Sequence, residues 1–508
     1  MDVTLAVALL ALAGGCFRER AIGFDAAVAA RMKSQSESAA SVGGGEAASR
    51  PATDSGDSVM ASSTGGADAS ATGPDASQVQ ATAATLPRPK HDTRAWLRHA
   101  HADLAIHLPE GEKPALLTED LVMSDGKPRD VNAYFGVDPK RLHTVLYNYT
   151  GLMHSSQASG TEYAIDQPAP QWPGFEDVWI PMDWAPPLEI SARLGLARDA
   201  SGKPLRRDCI VVLPGIFGDN SVARTRQIAM ALVAAGYHAL AVEMRGCGQT
   251  EKRFPDAGMT FGTVEASDLL AISDWLEARE DVDRTGLIAF CWGSNIALVT
   301  AWEEGRPTNH PMVSSEMQKR LRPRDGRHRY RAGILVFSPA LPYEDICDAC
   351  ETEWSIVSNP VLDKLQKEIS TRVERRKYTC AAHSLRSLIA LERERSPAAY
   401  PGGLMDGYRY LRLYKYRGEP AGDKFEDMRM PVLIVHAAND PLSDGQFLAD
   451  TIALTENPAV AALILPGGGH VGFAPYAADY FYGLIFRFFD PRAGAASYAP
   501  TAEAVAAR

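Results

Sequence analysis

The chain is short of positive charge. Its 63 Asp and Glu outnumber 52 Lys and Arg, giving a formal net charge of −11, whereas a protein that grips a nucleic-acid backbone needs the opposite balance. No nucleic-acid partner is expected. Cysteine is sparse as well: seven in 508 residues is not the density of a disulfide scaffold, and Cys16, Cys209, Cys247 and Cys380 stand alone with no pairing pattern. Cys347 and Cys350 make a lone C-x-x-C with no second such pair or His pair nearby, so they read as an incidental pair and neither a metal nor a cofactor is expected. Long apolar runs are missing too. Val3–Gly15 is uncharged and mostly apolar, but it is too short to span a bilayer comfortably and has the length of a signal-peptide core. Small residues before Cys16 resemble a lipoprotein cleavage box, yet the first four residues carry an acid and no base. Residues 1–33 therefore read as a targeting or anchor-like segment, implying secretion or membrane association. The alternative is a plain apolar helix on a cytoplasmic protein.

What is present is ordinary for a globular protein: 45% hydrophobic and 23% charged residues. The length allows two or three domains, or one large domain with extensions. From Ser34 to Thr85 there is no aromatic residue, leucine or isoleucine, so this stretch cannot bury enough apolar surface to offset the entropy of ordering it. Residues 34–86 are expected to form a disordered linker. Aromatics and leucines return in 87–171, with a helix-like piece at Thr93–His107, and this part is expected to wrap the main domain as a cap. Residues 491–508 are expected to be a flexible tail.

Between 172 and 490 short apolar runs alternate with helical segments. The runs at 209–215, 237–246, 285–290, 332–340, 431–440 and 461–470 are rich in Val, Ile and Leu, the pattern of strands buried on both faces of a parallel sheet. Segments such as 221–236, 263–279, 294–304 and 476–489 have helical composition. Alternating strands and helices imply a doubly wound α/β fold with right-handed crossovers. Residues 177–183 and 188–197 look like an antiparallel hairpin at the sheet edge. Leu341 to Met428 interrupts the order with mostly helical composition, and an insertion there lies over the C-terminal ends of the strands as a lid. The basic stretch from Lys319 to Arg331 reads as a solvated surface insertion, and the tyrosines at 408, 410, 414 and 416 suit either a pocket mouth or core packing.

Three strand ends carry chemistry. Ala289-Phe290-Cys291-Trp292-Gly293 has the small-x-nucleophile-x-small form of a nucleophile elbow, with cysteine where serine is usual. Asn439-Asp440-Pro441 follows one apolar strand, and Gly467-Gly468-Gly469-His470 follows the next. Each has a plain alternative: packing for the elbow, an N-cap for Asp440, a loop for the glycines. Together they give nucleophile, acid and histidine in the chain order of an α/β-hydrolase triad. The backbone N–H groups of Trp292 and of Ile216, in the turn Leu213–Gly218, are the expected oxyanion donors.

These blocks, with Leu213–Glu251, Ala257–Leu269 and His470–Phe473, resemble YheT-like or ABHD-type α/β-hydrolases, also called embryogenesis-associated proteins. The resemblance covers 172–490. It implies a cofactor-free carboxylic-ester hydrolase acting on a small-molecule or lipid acyl ester at a possible membrane surface, with Cys291, Asp440 and His470 as its triad. Two departures stand out: the family usually has Ser at the nucleophile and His-Gly at the oxyanion turn, where this chain has Cys291 and Pro214. Cysteine nucleophiles occur on this fold in dienelactone hydrolases and polyhydroxyalkanoate synthases. A thiol forms a thioester intermediate, so an acyltransferase is one alternative and a non-catalytic ligand-binding protein another.

The linker reading has a direct check. Limited proteolysis should cut first between Ser34 and Thr85 and leave a stable C-terminal fragment; protection of that stretch would contradict it.

Overall fold

The computed structural model describes residues 92–490 apart from 117–118, 124–125, 138–141, 159–170, 183–186, 320, 323–327, 343–346, 348–359, 377–383, 396–409, 414–423 and 454. The expected N-terminal segment, linker and tail, Cys350, and the tyrosines 408, 414 and 416 lie outside these. All described residues belong to one unit, Leu86–Arg508. In chain order the elements used below are α1 (Thr93–Leu104), β1 (Ala115–Leu116), α2 (Leu142–Ala158), β2 (Phe175–Met182), β3 (Leu188–Gly195), β4 (Arg207–Leu213), α3 (Ala223–Ala234), β5 (His238–Val242), α4 (Gly248–Arg253), α5 (Thr263–Glu277), β6 (Val282–Phe290), α6 (Trp292–Gly305), β7 (Gly333–Phe337), α7 (Pro360–Arg375), α8 (Leu385–Arg395), β8 (Val432–Ala437), α9 (Gly445–Ile452), β9 (Val460–Leu465) and α10 (Phe473–Phe489).

The strands form one sheet in the order β1-β9-β8-β7-β6-β4-β5-β3-β2. From β4 to β9 every pairing is parallel, and β2 and β3 make the antiparallel hairpin at one edge. This is the α/β-hydrolase architecture. The run of apolar residues in each central strand is explained by cover on both faces: Val211 and Leu213 join one buried cluster, Ile210 and Val212 the other. The opposite edge was not legible from periodicity. Ala115 and Leu116, from the segment ahead of the hairpin, pair with β9, and two residues have no period to read.

Burial reaches further than composition suggests. The helix α6 is buried along nearly all its length, including Glu303 and Glu304, which a charged pair tolerates only when each carboxylate has a partner. Glu303 meets Arg306 at 2.6 Å and Glu304 meets Arg329 at 3.1 Å. The stretch from Lys319 to Arg331 is accordingly not a solvated insertion throughout. Arg329 and Arg322 both grip Asp274 of α5, at 2.7 and 2.6 Å, and Arg329 is buried. Tyr410 is core: its fully buried ring packs edge-on against Trp302 at 5.5 Å. Among the described residues no helix is long and apolar enough to cross a membrane.

The turn after β5 is fixed by a fully buried ion pair. Arg245 donates through Nε and Nη2 to the two oxygens of Asp268 at 2.6 and 2.7 Å, with both side chains sealed from solvent. Asp268→Ala strands the guanidinium in the core, so urea unfolding should show a loss of about 3–5 kcal/mol. A loss below about 1 kcal/mol would mean that Arg245 finds other partners.

Candidate active site

The strand β6 passes into α6 through Cys291, whose backbone sits at φ 54°, ψ −125°, a conformation that strains any residue with a side chain. Packing enforces it. A Cβ on Gly293 would lie 2.1 Å from the Pro214 carbonyl oxygen, and one on Gly215 would lie 3.1 Å from the Cys291 Cβ, so the turn after β4 presses against the elbow. The next strand pins it from the other side: the Cys291 N–H and the Ser294 hydroxyl both donate to the Phe337 carbonyl, at 3.0 and 2.9 Å. The backbone N–H groups of Trp292 and of Ile216, which follows Gly215, favour the charged form of the Cys291 sulfur.

Asp440 leaves the end of β8 and His470 the end of β9. The His470 Nδ1–H donates to both Asp440 oxygens, at 2.9 and 3.1 Å. The same carboxylate accepts the N–H groups of Leu442 and Ser443 at 2.9 and 3.1 Å, so Asp440 closes its own turn and holds the imidazole; the helix cap expected as its plain alternative is Asp444, at the start of α9. With Nδ1 committed, the buried Nε2 has no hydrogen-bond partner among the described residues, and the charges of His470 and Cys291 favour one another. The five residues singled out in the sequence, Cys291, Asp440, His470, Ile216 and Trp292, thus meet at one point.

Their charges are mutually supporting. Burial pushes the Cys291 thiol up, but the His470 charge and the two N–H groups outweigh this and hold the thiol below its ordinary value. Burial alone would lower His470, yet the carboxylate of Asp440 and the Cys291 sulfur raise it. Asp440 stays below the usual carboxylate range because His470 more than offsets its burial. Each of these shifts favours the charged form: thiolate, imidazolium and carboxylate in series. Among the described cysteines Cys209, Cys247 and Cys347 are buried, and Cys291 is partly accessible.

Sequence reasoning missed the scaffold beneath the histidine. The helix α2 crosses under the loop after β9: Ser155 accepts the His470 N–H at 2.6 Å, and a Cβ on Gly469 would lie 2.0 Å from the Gly151 carbonyl oxygen. Asn439 links the two loops, accepting the Gly469 N–H at 2.9 Å and donating to the Tyr147 carbonyl of α2 at 3.3 Å. The glycine triplet was a signal that some backbone passes close; nothing local said which. His436 is a second buried imidazole, 3.9 Å from Asp440 Oδ2, held below its ordinary basicity by burial despite that carboxylate.

Residues 210–481 match the model of the alpha/beta hydrolase family. The chain belongs to that family. Among solved structures this α/β hydrolase is similar to the esterase Pf2001 of Pyrococcus furiosus, with 14% identity and a TM-score of 0.38 over 63% of this chain and 96% of that one. It is also similar to the acylaminoacyl peptidase of Pyrococcus horikoshii, with 14% identity and a TM-score of 0.38 over 62% and 41%. An esterase of Pyrobaculum calidifontis shows 17% identity and a TM-score of 0.36 over 70% and 94%. Likenesses this faint add nothing to the family match. No curated protein matches the chain.

The electrostatics of this α/β hydrolase make a pH prediction. Iodoacetamide should label Cys291 ahead of Cys209, Cys247 and Cys347, with a midpoint below the ordinary thiol value of about 8.5. Asp440→Asn removes the charge that keeps His470 protonated, so the thiolate loses its partner and the midpoint should rise. An unchanged midpoint would show that Asp440 does not support the pair.

Proposed function

We propose that the protein hydrolyses carboxylic esters or thioesters through an acyl-enzyme on Cys291. The reading rests on one observation: a strained, partly accessible cysteine shares a site with a histidine held by a buried carboxylate, whose charge, with two backbone N–H groups, favours the thiolate. In this mechanism the thiolate attacks the acyl carbon, and the carbonyl oxygen takes the negative charge beside the Ile216 and Trp292 N–H groups. His470 then gives its proton to the leaving oxygen or sulfur as the tetrahedral intermediate collapses to a thioester. Water attacks the thioester while His470 takes a proton from it, and the thiolate leaves with the acid product. Asp440 keeps the imidazole in one tautomer throughout and stabilises its charged form.

The finer assignment follows from the resemblance to YheT-like or ABHD-type hydrolases, and it makes the natural substrate an acyl ester of lipid character. Acyl transfer to an alcohol or amine uses the same thioester and differs only in the acceptor. Excess acceptor in the assay separates the two, since a transferase makes acylated acceptor at the expense of free acid.

Substitution at the nucleophile tests the reading. Cys291→Ala removes the covalent route and leaves the oxyanion donors, so turnover of an activated ester should fall by at least about 10³-fold. Cys291→Ser should fold yet lose much of the activity, because a hydroxyl is protonated at rest and depends on His470 to remove its proton during attack. Full esterase activity in Cys291→Ala would sink the assignment.

A further inference from the structure

The Ile216 donor lies in a turn whose next residue, Phe217, is itself strained at φ 58° and buried. A strained residue persists only where its surroundings hold it. Its ring is covered by a guanidinium: Arg372 Cζ lies 5.2 Å from the ring centroid. Arg372 does not come from the sheet or its crossovers. It belongs to the last turn of α7, within the insertion between β7 and β8. It is buried, and it donates to the Gly246 carbonyl at 2.7 Å, to Glu392 of α8 at 2.8 Å and to Glu251 of α4 at 3.3 Å. Arg375 reaches Glu251 at 2.8 Å, and Arg376 donates to the Pro255 carbonyl at 2.9 Å. Phe217, Asp219, Glu251, Arg372 and Arg375 line the cleft between α7 and the oxyanion turn.

Two features separate Arg372 from a general anchor. Three guanidinium groups share the carboxylates of Glu251 and Glu392, so ion pairs still hold α7 to the 246–255 segment without it. Among the described residues Arg372 alone of the three lies over the Phe217 ring, and a cation over an aromatic face attracts and helps to place both partners.

We propose that Arg372 is a positioning residue for the oxyanion site, holding the Ile216 N–H in line with Cys291 through Phe217, so that this donor is in place only while α7 is docked. The inference rests on the reading of Cys291 as nucleophile and adds to it that the insertion takes part in transition-state stabilisation as well as covering the site.

The test uses the full chain with Arg372→Met, which keeps the apolar stem, and Arg372→Lys, which keeps the charge but loses the planar fork. Two readouts are taken: kcat and KM on p-nitrophenyl acetate, and the pH dependence of Cys291 alkylation without substrate. Arg372→Met should lower kcat at least ~10-fold with KM within ~2-fold, as expected when an oxyanion donor is displaced. It should also move the alkylation midpoint to higher pH, because the Ile216 N–H no longer favours the thiolate. Arg372→Lys should recover part of both. A folded Arg372→Met with wild-type kcat and midpoint overturns the proposal. Should Arg372→Met not fold, Phe217→Leu leaves every ion pair intact and carries the same expectations and the same overturning result. Wild-type Cys291 that alkylates no faster than the buried cysteines would overturn the nucleophile reading itself, before either variant is compared.

Discussion

Two backbone turns lie closer together here than side chains would permit. Where Gly293 faces the Pro214 carbonyl, a single added carbon would sit 2.1 Å from that oxygen, and the rest of the site follows from this approach. It holds Cys291 at a positive φ and sets the turn that carries Ile216, after one strand, against the elbow that carries Trp292, after another. Donors held by the fold itself do not reorganise when charge develops, which is why such an arrangement can stabilise an oxyanion more than water does. The parallel sheet supplies the rigidity, since β4, β6 and β7 are covered on both faces.

A second constraint is electrostatic. A thiolate and an imidazolium out of water would each be costly alone, and each is stabilised by its neighbours in the series Cys291, His470, Asp440. The position of Cys291 at the start of a long helix adds the partial positive charge of the α6 N-terminus. Asp440 spreads its own charge over two backbone N–H groups and the imidazole. The cysteine therefore suits this site chemically: surroundings that lower a thiol's pKa favour its thiolate, whereas a serine hydroxyl starts far too high to ionise there. The histidine is carried by Ser155, Asn439 and the Gly151–Gly469 contact, so α2, which precedes the segment matching the family, is part of the machinery.

Legibility in the sequence followed the range of the interactions. Cys291, Asp440 and His470 were readable because each ends an apolar run, and their order along the chain is informative. Ile216 and Trp292 followed from the turns they occupy. The hairpin of β2 and β3 showed itself through its composition and its place ahead of the series. Ser155 was not readable, because its bond to His470 spans 315 positions and a serine in a helix carries no local signature. The same holds for Arg329 and Arg372: in the sequence each is one of many charged residues, and only the fold shows that carboxylates from other elements meet them in the interior.

The central claim is that Cys291 carries the acyl group during turnover, and quenching the reaction before it completes tests this most directly. The protein is mixed with excess activated ester, stopped with acid within the first turnovers, digested and read by mass spectrometry. The account predicts an acyl thioester on the peptide containing Cys291, cleaved by hydroxylamine and present on no other residue. Steady hydrolysis of the ester with Cys291 never acylated would contradict it.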